Sequence, residues 1–525
     1  MVTRSTGNGA LRRAARRAVG VVAVAATAAA LAACSSGGGG EGGDGPTTLR
    51  FGLDSDVPNL VTPQNQGSAS MILNGVLHRG LVQYDAKGEV APALAESWDE
   101  EEAQTFTFHL REGLTFHDGS DLTSEDVKAT LEHMKNPDSV AKLFPAAKGI
   151  QSIETPDELT VVVKLAQPDA AFLSYLADVS GAILPSEEVG SEGPTYVGAG
   201  PYKFVSYEKG SAFVVEEFDD FYVEDQPHID TIEFEIIPDQ AARDNALLSG
   251  SVDMTSFVGW NSYDQVEGAG NLVLDATEGP FMYLLFNTTP DSPFSNPKVR
   301  EAVAWAVDRQ AVVDAALGGV GKPLSGMPIP ESSPFYNEEQ ANYYEKDVDK
   351  AKALLAEAGY PDGFTARMLS SSQYSFHQDT AISVQNDLKA IGIELEMNLP
   401  DWPTRLEVGA AGDYDIAVYG TVGVTNDPAF LDQILTPAGA QNAPFGYDDP
   451  KVNDLLAKGH AESDPDARKK IYDELGEYVL QTAPIVGLGW RSQAYGLSDA
   501  LSGFTNIPGF LTFNSGYTLA ETTFE

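Results

Sequence analysis

One cysteine, Cys34, occurs in the 525 residues. Disulfides therefore cannot brace the fold, and cysteine metal sites and thiol nucleophiles beyond that position are excluded. Basic residues are also scarce: 33 Lys and Arg stand against 77 Asp and Glu, a formal net charge of −44. This excess argues against binding nucleic acid or anionic lipid through a basic face. It suits a protein that faces salt water and meets cations or neutral solutes. Catalytic signatures are missing too. The seven histidines (His78, His109, His117, His133, His228, His377 and His460) are scattered, with no HExxH pair, and there is no GxSxG elbow. Gly318-Gly-Val-Gly-Lys-Pro323 superficially resembles a phosphate loop, but Ala316 holds the first glycine position and Pro323 follows Lys322. A turn after a helix explains it better. Asp54-Ser-Asp56 opens like a calcium loop that Pro58 then breaks. Acids abound, yet the sequence alone pairs no two of them for acid–base work, so a hydrolase stays open.

Long apolar runs are equally rare. After residue 33 none approaches the ~20 residues that span a bilayer. The run Ala18–Ala33 is short for a span and has the length of a secretory h-region. Arg4, Arg12, Arg13, Arg16 and Arg17 accompany it, and the first 33 residues contain no acid. The run ends Leu31-Ala32-Ala33-Cys34, which resembles a bacterial lipobox, where the thiol is diacylated and becomes the mature N-terminus. A chance cysteine behind an Ala-x-Ala cleavage site is the competing reading. It leaves the position of the sole cysteine unexplained. The paired arginines leave a twin-arginine export signal open beside the general route, although Leu11 and Ala14 flank the first pair. Residues 1–33 are thus expected to be a signal peptide. Residues 34–46, the cysteine followed by SSGGGGEGGDGP, are expected to form a lipid-bearing, flexible tether.

What is present is a globular body. Hydrophobic residues make up 42% and aromatics 9%, ample for a core. The length exceeds the roughly 250–300 residues at which one core stops growing, so at least two lobes are expected. Thr48–Leu53 reads as the first strand. Gln104–Leu110 alternates with period two, Glu125–Met134 reads as a helix behind a hydroxyl cap, and Leu159–Leu165 is a β-branched strand. Two more strands are expected around Tyr202–Tyr207 and Ile232–Ile237. From about residue 281 helices and strands alternate. Asn296-Pro297 starts a helix expected to run to about Leu317, ended by Gly318-Gly319. Val348–Ala358 is a second helix. Phe364–Leu369, Ile393–Leu399 and Asp415–Tyr419 are strands, separated by helices Gln378–Ile391 and Thr404–Ala410. That order implies a parallel sheet, and ligands of such sheets sit beyond the carboxyl ends of strands. The loop from Gly420 to Pro428 is therefore a cleft candidate, with an ordinary surface turn as the alternative.

Four stretches resemble the family 5 solute-binding proteins of bacterial ABC importers, the dipeptide, oligopeptide and nickel receptors. The first joins Leu81-Val-Gln-Tyr84 and Gly88-Glu-Val-Ala-Pro-Ala-Leu-Ala-Glu-Ser-Trp98 to Phe106-Thr-Phe-His-Leu-Arg-Glu-Gly-Leu-Thr-Phe-His-Asp-Gly119 and Ser124-Glu-Asp-Val127. The second is Gly198-Ala-Gly-Pro-Tyr202. The third comprises Phe286-Asn287, Pro293-Phe294, Val299-Arg-Glu-Ala302 and Val307-Asp-Arg309. The fourth is Asp401-Trp402, Tyr414-Asp415 and Asp427-Pro428. The resemblance implies an α/β, type II periplasmic-binding-protein-like fold, with two hinge-linked lobes and an extra inserted domain. Domain I would take 47–78, 195–280 and 491–525, the inserted domain II 79–194, and domain III 281–490. It further implies no cofactor and no catalysis. The implied partners are a small-molecule or short-peptide ligand, and a membrane permease with cytoplasmic ATPases. The receptor itself would be monomeric.

Within that resemblance Trp402 matches an aromatic that lines the family's pocket. In peptide-binding members an Asp four residues before the proline of the Asp/Glu-Pro pair holds the ligand's α-ammonium; counting back from Pro428, this chain has Val424. An ammonium buried beside valine is left unpaired, at a cost of several kcal/mol. Gly409 and Val418 stand where arginines hold a peptide carboxylate, although Arg405 is close. The loop residues Thr421, Thr425, Asn426 and Asp427, with Tyr283, Asn287, Tyr374 and Trp260, complete the candidate pocket by position. Three readings stay open. One is a receptor for peptides or peptide-like solutes. The second is the same fold holding a sugar on Trp260, Trp402 or Trp490, or a metal chelate on His377. The third is an extracytoplasmic hydrolase.

Overall fold

The computed structural model describes residues 47–57, 60–62, 64, 67–191, 193–421, 425–439, 441–442 and 446–525. The expected signal peptide, Cys34, the tether and Val424 lie outside the described residues. Period-two segments become strands with one face buried. In Thr105–Leu110 the side chains of Phe106, Phe108 and Leu110 are buried while those between are half-exposed. This strand lies in a four-stranded antiparallel sheet of order Ala95–Glu101, Thr105–Leu110, Thr160–Leu165, Ile150–Asp157. The helix Ser124–Met134 packs beside it and opens with a capping box between Thr123 and Asp126.

A second, larger sheet runs through the rest of the chain. From one edge its order is Ile393–Asn398, Phe364–Leu369, Ile416–Thr421, Leu272–Phe286, Ile485–Ser498, Met254–Thr255, Thr48–Leu53, Thr231–Ile236, Ala212–Glu217 and Tyr202–Glu208. The first three strands are mutually parallel, as their alternation with helices implies. Leu272–Phe286 is antiparallel to its neighbours on both sides, so the sheet is mixed. It and Ile485–Ser498 are the long strands, 15 and 14 residues, that join the two ends of the sheet. Their register shifts between Glu278 and Phe281, at Gly279-Pro280. Here a side chain on Gly279 has no room: its Cβ would lie 2.0 Å from the Gly509 carbonyl oxygen.

One expected element differs. The helix expected from Pro297 to about Leu317 is two helices, Pro297–Ala306 and Arg309–Ala316. Val307 is extended, with φ −73° and ψ 128°, and the Asp308 carboxylate accepts from the Ala311 amide to start the second helix. An Asp that satisfies a free amide in this way competes with continuing the helix through it. Gly318 and Gly319, both at positive φ, end the second helix as expected.

Buried apolar residues gather in three larger clusters. One is built almost wholly from residues 281–488, one mainly from 81–199, and one from 49–77, 202–254 and 495–519. Among the described residues no helix is long and apolar enough to cross a membrane.

Candidate ligand-binding site

A cavity of about 770 Å³ opens between the 81–199 and 281–488 clusters. One wall comes from residues 137–148 with Asp169, Tyr175 and Asp178. The facing wall comes from Thr421, Asp432, Gln433, Thr436, Gly439, Gln441 and His460, and Met71, Phe510, Phe513 and Asn514 close an end. The volume falls in the range of about 300–1,000 Å³ that suits a drug-sized solute.

The lining is polar but internally matched. Lys142 Nζ lies 3.0 and 2.9 Å from the two carboxylate oxygens of Asp178. His460 sits between two acids, with Nδ1 2.8 Å from Asp169 and Nε2 2.8 Å from Asp432. Burial pulls its pKa down, but the hydrogen bonds and charges of those acids override it and hold the imidazolium up to about 10. His460 thus ties the wall at Asp169 to the wall at Asp432. Gln441 accepts from the Tyr283 hydroxyl and donates to Thr421 Oγ1 at 3.4 Å. Each described carboxylate of the lining thus has a basic partner, Asp178 in Lys142 and both Asp169 and Asp432 in His460.

The loop after Tyr419 is a junction. Thr421 lines the cavity. Thr425 is buried and accepts from Tyr84 of the 81–199 cluster at 3.2 Å. Asn426 Oδ1 accepts from the Phe510 amide at 2.8 Å, and its Nδ2 donates to the Pro508 carbonyl at 3.0 Å. Asp427 caps the short helix Pro428–Leu431 and is held bidentately by Arg468, both groups buried. Thr425, Asn426 and Asp427 therefore hold the loop to its surroundings and do not point polar groups at the cavity. Nor does Asn287 join the site. It follows the far end of Leu272–Phe286, six positions from Phe281, which pairs with Thr421. There its amide nitrogen donates to the Tyr414 carbonyl at 3.1 Å.

The remaining aromatics form a second assembly, beyond the carboxyl ends of the parallel strands. The ring centroid of Trp402 lies 5.2 Å from Tyr374 and 5.3 Å from His377, and that of Phe376 lies 4.8 Å from His377 and 6.3 Å from Trp260. Trp402, Phe376, Trp260 and Tyr419 are half-buried, and Tyr374 is exposed. Trp260 donates its indole N–H to the Ser492 carbonyl at 2.9 Å. Tyr283 is buried, 5.9 Å from Tyr419 and 5.1 Å from Phe281. Phe510, at the end of the cavity, packs against Phe281 and Trp490, with ring centroids at 5.8 and 6.0 Å. Lys142, Asp169, Asp178, Asp432, Gln441 and His460 carry no sequence signal as a group: each reads as an ordinary surface polar residue until the fold brings them together.

The profile of the bacterial extracellular solute-binding proteins, family 5 Middle, matches residues 89–476. The chain belongs to this family. The glutathione-binding protein GsiB of Salmonella paratyphi A is 29% identical over 448 residues, which cover 82% of this chain and 86% of that protein. Among solved structures, the binding protein AgaA from A. tumefaciens R10, in complex with agropinic acid, is 40% identical with a TM-score of 0.79. The match covers 91% of this chain and 99% of AgaA. DppA from Helicobacter pylori, in complex with the peptide STSA, is 25% identical, with a TM-score of 0.74 and coverage of 91% and 98%. The expected fold class follows, and so does the role: an extracytoplasmic substrate-binding protein of an ABC importer, working with permease and ATPase subunits.

Proposed function

We propose that this protein captures a peptide-like or acid-bearing solute in the 770 Å³ cavity and delivers it to its permease without altering it. The observation that carries the reading is the cavity's position between the 81–199 and 281–488 clusters, with Met71 and Phe513 of a separate small cluster at one end. A solute that touches every wall stabilises the arrangement in which the walls face each other. The division into domains I, II and III at 78/79, 194/195, 280/281 and 490/491 accords with the three larger clusters. The register shift at Gly279-Pro280, in the long strands that cross between clusters, supplies the hinge. The pairing of each described carboxylate of the lining with a basic partner favours transport over hydrolysis. Peptides and glutathione, bound by relatives, are the first ligands to try, together with agropinic acid. The protein acts as a monomer, anchored to the outer face of the cell membrane through diacylated Cys34 and the tether to residue 46.

A thermal-shift screen of the purified protein lacking residues 1–33 tests this reading, with peptide, glutathione, opine, sugar and metal-chelate pools. Binding stabilises by RT ln(1 + [L]/Kd), about 4 kcal/mol at ~1,000-fold saturation, which is readily visible. Simple free-amino dipeptides are expected to shift little, because Val424 replaces the ammonium-binding acid. A strong shift with Ala-Ala overturns that expectation, and turnover of any pool member overturns the transport reading.

A further inference from the structure

His460 holds two acids at once, with Nδ1 2.8 Å from Asp169 and Nε2 2.8 Å from Asp432. A carboxylate only accepts and a neutral imidazole carries one N–H, so both bonds together require the imidazolium. The two acids belong to different bodies. Asp432 starts the helix Asp432–Leu435, whose Ile434 and Leu435 belong to the 281–488 cluster. So do Leu455 and Leu456 on the helix of His460, Pro450–Ala461. Asp169 stands three residues before Phe172 of the 81–199 cluster, and its amide donates to the Ala103 carbonyl at 2.8 Å. Asp432 therefore orients the ring from its own side, and Asp169 meets it from the facing wall of the cavity that all three line.

Among the described residues this is the one ion pair that joins residues 81–199 to residues 281–488. A main-chain bond accompanies it: the Ala170 amide donates to the His460 carbonyl at 2.8 Å. The same two stretches also meet where the Tyr84 hydroxyl donates to Thr425, and burial pushes the pKa of that hydroxyl up. Other ionisable groups surround the bridge. Glu100 and Tyr175 lie on the 81–199 side, and Asp427, Arg468 and Tyr472 on the other. Asp427 and Arg468 pair with each other, and burial pushes both tyrosine hydroxyls up. Lys142 and Lys148 line the same cavity, Lys142 held by Asp178, and on the His460 helix Lys458 pairs with Asp454. Burial opposes the charge on His460, but the bonds and charges of both acids override it and hold its pKa up to about 10. Withdrawing Asp169 leaves one acid and lowers that value.

We propose that His460 and Asp169 form a proton-dependent latch that fastens the 81–199 body to the 281–488 body beside the cavity. The bodies part only when that bond breaks. The parted state holds the proton less tightly than the latched one, because one of the two acids has gone. Joining the bodies therefore takes up a proton at any pH between the two pKa values, and the latch is lost as pH climbs through about 10. Below the lower value His460 is charged in both states, and the latch has its full strength. That the latch also retains the solute rests on the receptor reading above: a solute lying against the Asp169 wall and the Asp432 wall leaves after the walls part, so it binds more tightly as pH falls through that window.

Two measurements on the protein as exported test it. The first needs no solute: hydrogen exchange of the Ala170 amide, corrected for its intrinsic rate, in the wild type and Asp169→Asn. Asparagine keeps the oxygen that accepts from the Ala171 amide, so the turn itself is spared. At pH 6.5 the expected result is exchange at least about tenfold faster in Asp169→Asn. The amides of Thr105–Leu110 are expected to be unchanged, which checks that the 81–199 body stays folded. In the wild type the protection of Ala170 is expected to fall as pH rises from 6.5 through about 10, and in Asp169→Asn to stay flat. Equal protection in the two proteins, or protection in the wild type that ignores pH, overturns the proposal. The second is calorimetric titration of both proteins with glutathione and agropinic acid over the same pH range. Wild-type affinity is expected to fall at least about threefold more than that of Asp169→Asn, the solute's own titration being common to both. Equal falls overturn the retaining role, and the receptor reading survives. Failure of every solute to bind the wild type overturns the receptor reading, while the exchange of Ala170 still decides the latch.

Discussion

Asp427 shows how a residue's role depends on its partner. By position in the sequence it belongs to a ligand-facing loop, and an acid there is available to an ammonium. In the fold its carboxylate is consumed by Arg468, with side-chain exposures of 7% and 6%. Arg468 has its pKa raised: burial opposes its charge, and the Asp427 carboxylate more than offsets this. Replacing Asp427 with Asn leaves a buried guanidinium unpaired, which costs about 3–5 kcal/mol. The expected outcome is a melting temperature lower by several degrees, with ligand affinity at low temperature close to that of the wild type. A large loss of affinity with unchanged melting would instead make Asp427 a ligand contact. His460 carries a pH dependence. Its pKa rises on folding from 6.5 to about 10, so its contribution to stability is fully present below pH 6.5 and is lost as pH climbs through about 10. The stability difference between wild type and His460→Gln is therefore expected to be largest near or below pH 6.5 and to vanish above pH 10, as read by urea unfolding across that range.

At the scale of elements, strands and helices were largely legible because periodicity is a local property. Phe106, Phe108 and Leu110 alternate in the sequence and are buried alternately in the strand. The break at Val307-Asp308 was not legible, since an Asp inside an amphipathic pattern reads equally as an exposed helical residue. Asp308→Ala is expected to cost about 1 kcal/mol by removing the cap on Ala311, measurable as a lower urea midpoint. The bulge at Gly279-Pro280 and the junction of residues 425–427 were equally silent, because each is defined by a contact with the C-terminal segment. Gly279→Ala has no space beside Gly509 and is expected to lower the melting temperature by pushing that segment, and Phe510 with it, away from the strand.

At the scale of the molecule, the acidic body and the N-terminal pattern concern address more than shape. Cys34→Ser is expected to abolish incorporation of labelled fatty acid and to release the protein from the membrane fraction, with solute binding unchanged. Retention of label in that variant excludes Cys34 as the acylated residue. Closure around a solute is expected to reduce the radius of gyration in solution scattering; identical curves with and without a bound ligand count against a hinge at residues 279–280.

The order of residues alone determined the positions of most strands and helices, the parallel run 364–421 and, through four stretches that resemble the family, the kinship with solute receptors. These depend on neighbours a few positions apart, where one residue's geometry constrains the next. Only the tertiary structure decided which polar groups are free. His460 meets Asp169 across 291 positions and Asp427 meets Arg468 across 41, whereas among the described residues Arg405 and Arg491 meet no acid. The reason is that a charge has no fixed meaning along a chain: its energy is set by burial and by whatever stands within a few ångströms, and folding alone assigns both.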